Sequence, residues 1–469
     1  MTPLDQLLPD RQRLRIAGRG AAGDYAAALL TSLGGRVERP LLDLSAADPH
    51  PACDWARSGA MALSGPADGP PRLAPGPLAS CARGAAAALA ALAEGANWSD
   101  LDAPALLGER AAIFGLERRG TTSPGGSCRL LRAADGWIAL NLARPDDHSL
   151  LPAWLGDGAR DDPWAFVEER VKRKPATEVV ERGRLLGLPI AFAAEPPSRP
   201  PPWFRVAASG PRVRRDPAEQ PLVVDLSSLW AGPLCTQLIS RAGARVVKVE
   251  SLRRPDGARS GATAFFDLLN AGKASVALDF GSDAGRATLR ALIERADIVV
   301  ESARPRALAQ LGIDAAELVE KRPGLSWISI TGYGRNEPNA NWVAFGDDAA
   351  VAAGLATATG DPSGPPLFCG DAIADPLTGL HAALAAQAAF LGGGGRLLDL
   401  SLCDVAAHAL TFDANAPAAA VHEAGDGWEV VANDSCASVA PPRARTVLGT
   451  AAELGRDTAE VLRELAIRC

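Results

Sequence analysis

The segment GPPLFCGDAIADPLTGLHAALAAQAAFL, residues 364–391, places Asp375 before Pro376 and an Ala/Leu-rich run. That order predicts a helix start, with Asp375 as N-cap and Pro376 in the first helical position. A carboxylate with an ordinary pKa near ~3.9 is ionised at neutral pH. At a helix start it lies beside unsatisfied N–H groups and the positive end of the helix dipole. The same donors suit the oxyanion that forms when a carboxylate attacks an acyl carbonyl such as a thioester. Capping alone accounts for the pattern equally well, and the two roles are compatible.

Other chemically capable residues carry less. His381 follows on the same predicted helix and reads as a packed or capping histidine. The run Gly392–Gly395 precedes a strand-like segment, RLLDLSL, so it lacks the following helix N-terminus that a phosphate cradle needs and reads as a turn. Eight cysteines, at 53, 81, 128, 235, 369, 403, 436 and 469, form no CxxC pair and have no histidine spaced to complete a metal site, so they read as free thiols and no metal is expected.

These residues need a scaffold. A chain of 469 residues with 47% apolar content can fill more than one core. The net charge of -7 comes with no basic stripe to track a phosphate backbone, which argues against nucleic acid. The N-terminus has no signal-like apolar stretch, and no uncharged apolar run is long enough to span a bilayer; a cytoplasmic protein with no membrane partner is expected.

From residue 221 strand-like and helical segments alternate: PLVVDLS, AGPLCTQLISRAG, ARVVKVE, SVALDF, GRATLRALIERA, DIVVES, ALAQLG and LSWISITGYG. This spacing predicts a doubly wound parallel α/β sheet of Rossmann type, with ligands beyond the carboxyl ends of its strands. Residues 119–156, with SPGGS as a turn and DGWIALNL as a strand, predict a smaller β-rich α+β module. A Pro-rich stretch over 193–220 can be neither a continuous helix nor a central strand and reads as a linker.

The first half also resembles the second. Residues 17–40 match the segment from about 228 onward, and residues 58–92 match 353–387. The first copy lacks the stretch that holds the middle strand–helix units of the second, and its counterpart of Asp375 is Ser80, which is not a carboxylate nucleophile. An inactive, structural first half is expected.

DLSSLWAGPLCTQLISRAGARVVKVE, FFDLLNAGKASVALDF, DIVVESARPRALAQLGI, SITGYG, AIADPLTG and RLLDLSLCDVAAHAL, in this order, resemble the family III CoA-transferases (the CaiB/BaiF family). The resemblance covers most of 221–469. It implies CoA transfer between an acyl-CoA and a carboxylic acid acceptor, through an anhydride and then a CoA thioester on the aspartate aligned with Asp375. It also implies coenzyme A thioester as substrate with no bound cofactor. Contacts to CoA are implied at Leu229, Trp230, Ala231, Ser302, Ala303, Arg304 and Arg306, with Tyr333 lining the thioester channel or simply packed. The family's dimers imply self-association, either as a homodimer or, with two copies fused, as an internal pseudo-dimer.

The sequence also departs from the family. Ser302 and Ala303 replace an Asn-Phe pair, Gln310 an arginine, and Ser251 a position that in some relatives is an arginine on the nucleotide phosphate; Arg253, Arg254, Arg304 or Arg306 are candidates to compensate. Phe345 stands where the racemase branch has a histidine, which disfavours α-proton chemistry. Thioester hydrolysis or lyase chemistry, and an inactive CoA-binding or structural relative, remain alternatives. The expected organisation is a degenerate copy at 1–105, a small-domain-like region at 106–192, the linker at 193–220, the catalytic core at 221–412, and a shortened small-domain remnant with a closing helix at 413–469.

Overall fold

The computed structural model describes residues 6–9, 12–16, 18–38, 48–93, 95–156, 162–216, 219–412, 418–425 and 427–467. Residues 17, 39 and 40 of the first repeated block, and Cys469, lie outside them.

Seven strands form the main sheet, in the order Arg205–Ser209, Arg396–Ser401, Ser326–Thr331, Ile298–Glu301, Leu222–Leu226, Arg245–Ser251, Ala274–Leu278. All neighbours pair in parallel except the first two. The chain runs outward from Leu222–Leu226 and then crosses back to Ile298–Glu301. The reversal opens a crevice between the carboxyl ends of these two strands, where an α/β sheet of this kind takes its ligand. Their β-branched cores, buried on both faces, are what a covered parallel sheet requires.

The expected linker at 193–220 is corrected in part. Its prolines leave a gap between Pro202 and Pro211, where Arg205–Ser209 adds an antiparallel edge strand, Val206 opposite Leu398. An edge position tolerates the prolines nearby because one side of the strand needs no ladder. The pairing continues into the glycine turn, where Gly210 N–H donates to Gly395 O at 2.9 Å and Val213 N–H to Gly393 O at 2.9 Å. A Cβ on Gly394 would lie 2.0 Å from Gly324 O, so that turn closes only on glycine.

Two smaller antiparallel sheets flank the main one. Cys128–Arg132, Trp137–Asn141 and Ile190–Phe192 form the β-rich module, and Ala420–Ala424, Gly427–Ala432 and Ser435–Ser438 the other. The closing helix Thr458–Glu464 docks on the far edge strand through Asp457, whose N–H donates to Ser275 O at 2.9 Å while its carboxylate accepts from Ser275 N–H. Among the described residues no helix is long and apolar enough to cross a membrane.

Four helices build the centre. Ala374–Leu391, buried along nearly its whole length, packs on Ala231–Arg241 on one side and on Leu78–Leu92 on the other; Leu78–Leu92 packs in turn on Ala21–Ser32. The two outer pairs are built alike. Gly379 faces Ala231 O and Leu234, and Gly84 faces Ala22 O and Tyr25. After each outer helix the chain turns through a left-handed glycine, Gly34 or Gly243, with Gly35 N–H on Leu30 O in one and Ala244 N–H on Ile239 O in the other. Each turn leads into a strand whose first N–H, of Arg36 or Arg245, donates back to the segment before the helix. In the N-terminal half the result is a separate two-stranded parallel sheet, Arg13–Arg15 with Arg36–Glu38.

His381 joins the halves. Its Nδ1 lies 2.7 Å from Leu377 O, which can only accept, so that nitrogen carries the proton and Nε2 accepts from the Tyr25 hydroxyl at 2.7 Å. Burial pushes its pKa down to about 3. The histidine is a packed joint, and the imidazole is neutral.

Two outcomes are expected. A Cβ at Gly379 would meet Ala231 O at 2.8 Å, and one at Gly84 would meet Ala22 O at 2.5 Å; Gly379→Ala and Gly84→Ala should each cost about 1–3 kcal/mol, read as a lowered denaturant midpoint. Between pH 6.5 and 3 the unfolded chain binds a proton at His381 that the folded chain refuses. On acidification the wild type should therefore lose stability against His381→Gln by up to about 1.4 kcal/mol per pH unit, measured by denaturation at a series of pH values.

Candidate active site

The loop before Asp375 decides where its carboxylate points. Ala372 adopts a left-handed backbone, φ 43°, and accepts the Asp375 N–H at 2.9 Å. The helix therefore begins at Ala374 with Ile373 in the cap position. This corrects the expected N-cap: Asp375 lies inside the first turn, and Pro376 follows it there. Freed from capping its own helix, the carboxylate accepts the backbone N–H of Ala231, the first residue of the facing helix Ala231–Arg241. The acid thus meets the positive end of a second helix at the sheet's crevice.

The loop that presents Ala231 is held from below by buried charge. Lys273 Nζ contacts Asp225 Oδ2, Thr236 Oγ1, Asn270 Oδ1 and Pro233 O, all within 3.1 Å. Lys248 Nζ donates to Ser227 O at 3.0 Å and pairs with Asp256 at 2.9 Å. Asp256 also accepts the N–H of Leu229, whose φ of 69° is a strained value for leucine. Ser228 N–H donates to Ser302 Oγ at 3.0 Å and ties the two crevice loops together.

Asp375 keeps partial exposure but stands in an acidic group. Asp347 and Asp348 open the helix Gly346–Ala352, and Asp371 precedes Ala372; these three are buried. Asp347 accepts from Ala372 N–H at 2.8 Å, and Asp348 accepts from Phe345 N–H at 2.9 Å and from Asn141. Arg110, from the N-terminal half, grips Asp371 with two nitrogens. Burial pushes Asp375 up to about 7, opposed by Arg110 and reinforced by Asp347. Burial, with Asp371 adding to it, raises Asp347 to about 6, and burial raises Asp348 to about 7. Gly346 is the wall of the carboxylate's niche, since a Cβ there would lie 2.1 Å from Asp375 Oδ2.

The residues singled out as CoA contacts separate into two groups. Ala231 meets Asp375, and Trp230 is buried behind it, edge-on to Phe265 and beneath the Arg110 guanidinium at 5.9 Å. Leu229 is exposed at the rim, Ser302 is engaged by Ser228, and Ala303 N–H donates to Glu301. Arg304 and Arg306 instead line a cavity of about 870 Å³ together with Arg144, Arg184, Arg254 and Trp342; Asp375 is not in its wall. Tyr333 lies between the two, with its hydroxyl 3.5 Å from Asp348 and its ring facing Arg184 and Trp342.

The cavity wall sets five arginines beside Asp146, Asp147, Glu181 and Glu337. Arg144 pairs with Asp147, and Arg184 stacks on Trp342 at 3.6 Å. Among the described residues Arg254, Arg304 and Arg306 form no ion pair, and Arg304 is pushed below the usual arginine range by burial and then by Arg306, Arg144 and Arg254. Arginines left without an ion pair in a concave site suit an anionic group.

Among the described residues the first half offers no equivalent centre. Ser80 Oγ donates to Asp54, which Arg83 neutralises. The N-terminus of Ala21–Ser32 is already filled, because Gly23 N–H donates to Asp48 Oδ2 at 2.7 Å. The sequence reading missed Arg110, Arg144, Arg184 and the three further aspartates. Only the adjacent pair in AFGDDAAVA, acidic inside an apolar run, carries a local signal.

Residues 219–435 match the sequence model of CoA-transferase family III. The chain is 32% identical over 209 residues to a succinate–glutarate CoA-transferase of Agrobacterium fabrum, which is 41% of this chain and 52% of that protein. It is also 32% identical over 193 residues to a formyl-CoA:oxalate CoA-transferase of Escherichia coli, 39% of this chain and 46% of that protein. A CaiB/BaiF family protein from Brucella suis matches at 28% identity with a TM-score of 0.42, over 47% of this chain and 66% of that one. The chain thus spans about half the length of the curated relatives it matches. The segment 219–435, which holds Asp375, the Ala231 helix and the crevice loops, is thus the part of this chain that is similar to CoA-transferase family III.

Proposed function

We infer that the chain moves coenzyme A from an acyl-CoA to a carboxylic acid, with Asp375 as the nucleophile. The observation that carries this reading is the Asp375 carboxylate, partly exposed and bonded to the first N–H of a facing helix inside the family-matched segment. In the cavity Arg254, Arg304 and Arg306 would hold the phosphates of CoA in place of the altered positions Ser251 and Gln310.

In the proposed sequence an Asp375 oxygen attacks the thioester carbon, forms a mixed anhydride and expels the CoA thiolate. The thiolate then attacks the Asp375 carbonyl, releasing the donor acid and leaving an aspartyl-CoA thioester. The acceptor carboxylate attacks that carbonyl, again expelling CoA thiolate, which takes the acceptor's acyl group and restores Asp375. Helix N–H groups at 231 and beyond would carry the oxyanion of each addition. The acids named for the relatives, succinate, glutarate and oxalate, are the first acceptors to try.

The N-terminal half reads as a shortened, inactive copy. In support, both halves repeat the glycine-mediated helix pair and the turn after it, and Asp48 fills the helix end that in the second half faces Asp375. The β-rich module, with Arg144, Arg184 and Asn141, faces the second half's crevice, so one chain is an internal pseudo-dimer with one working site. A cytoplasmic enzyme with reduced thiols fits this reading.

Incubation with acyl-CoAs and hydroxylamine should mark Asp375 as a hydroxamate, found by peptide mass spectrometry and lost in Asp375→Ala. CoA binding without any mark would replace the transferase reading with that of a ligand-binding relative. Because the anion attacks and its pKa is raised to about 7, adduct formation should climb between pH 6 and 8. Arg304→Ala combined with Arg306→Ala should weaken CoA binding at least tenfold by calorimetry and flatten its salt dependence.

A further inference from the structure

The loop that aims Asp375 is clamped from outside the catalytic half. Arg110, on the short helix Glu109–Phe114, donates from Nε to Asp371 Oδ2 at 2.8 Å and from Nη2 to Oδ1, a two-point grip that lysine cannot copy. Asp371 lies one residue before the left-handed Ala372, whose N–H is held by Asp347 and whose carbonyl receives Asp375 N–H. The grip therefore fixes both the turn and the direction of the carboxylate beyond it.

The charges around Asp375 come from every packed element. The loop supplies Asp371, and the helix Gly346–Ala352 supplies Asp347 and, behind it, Asp348. The helix Ala231–Arg241 offers its N–H and no acidic residue in its first turn, and Ser123 hydrogen-bonds Asp347. Arg110 is the cation that acts on this group, with its guanidinium over the Trp230 ring. Several carboxylates crowded around one cation in a largely buried niche cannot all ionise, and the cation decides which do.

We propose that Arg110 is a positioning residue for Asp375: by neutralising Asp371 and facing the same niche, it keeps the Asp375 carboxylate aimed and available as the anion. The N-terminal half, with no nucleophile of its own, thus supplies the charge that the other half's nucleophile requires. The proposal rests on the transferase reading only for the use made of Asp375. In support, Arg110 is the foremost influence opposing the rise that burial imposes on Asp375.

The test reads Asp375 without any thioester, so its failure is separate from failure of the transferase reading. Carboxyl carbons of 13C-aspartate-labelled full-length protein are titrated by NMR, with the Asp375 signal assigned by its loss in Asp375→Asn. Arg110→Gln should move the Asp375 midpoint up by about one unit, a roughly tenfold loss of anion on the acid side, and Arg110→Lys should recover most of it. A folded Arg110→Gln protein with an unmoved midpoint overturns the proposal. Should that variant fail to fold because Asp371 is left buried and unpaired, the double variant Arg110→Gln, Asp371→Asn carries the test. It is expected to shift upward by less, since Arg110 acts on Asp375 more strongly than Asp371 does; no shift, or a downward one, overturns the proposal equally.

Discussion

Ala231 is touched twice by one helix, and the site follows from that double contact. Its carbonyl lies against Gly379 and its N–H meets Asp375, one helical turn earlier. A side chain at 379 would push the helices apart, and the carboxylate would lose the amide with it. Close approach through glycine is therefore also what sets the chemistry, because the packing distance and the hydrogen bond belong to the same residue. The N-terminal half keeps the close approach, Gly84 on Ala22, but has Ser80 one turn earlier. It has the same close approach without the acid.

Around this contact the structure spends buried polarity in two ways. Beneath the loop, Asp225, Lys248, Lys273 and Asp256 are paired and hydrogen-bonded, which makes the backbone around Leu229 rigid. Above it, the aspartates outnumber their cation. The first arrangement fixes a shape and the second tunes a charge. The arginine cavity is a third region, where like charges are left facing one another.

Much of the sheet was legible because parallel strands buried on both faces are short β-branched runs, each followed by a helical period. Asp375 was legible through Pro376 and the alanine run, yet its role as a cap was misread, because nothing local reports that Ala372 turns left-handed and starts the helix early. The edge strand Arg205–Ser209 was hidden by the prolines before it, since its strand character comes from Arg396–Ser401 alone. Arg110, Arg144 and Arg184 were illegible for a different reason. An exposed arginine and one that completes a distant site look identical in sequence, and the partner of Arg110 is 261 residues away.

That separation also bears on how the protein folds. Contacts made across most of the chain form late, because the loop they close must be ordered first. The Arg110–Asp371 grip and the Tyr25–His381 bond, 356 residues apart, both belong to this slow class. The parallel sheet can be collapsed while the niche around Asp375 still lacks its cation, so the niche is complete only when Arg110 and Asp371, from the two halves of the chain, have met.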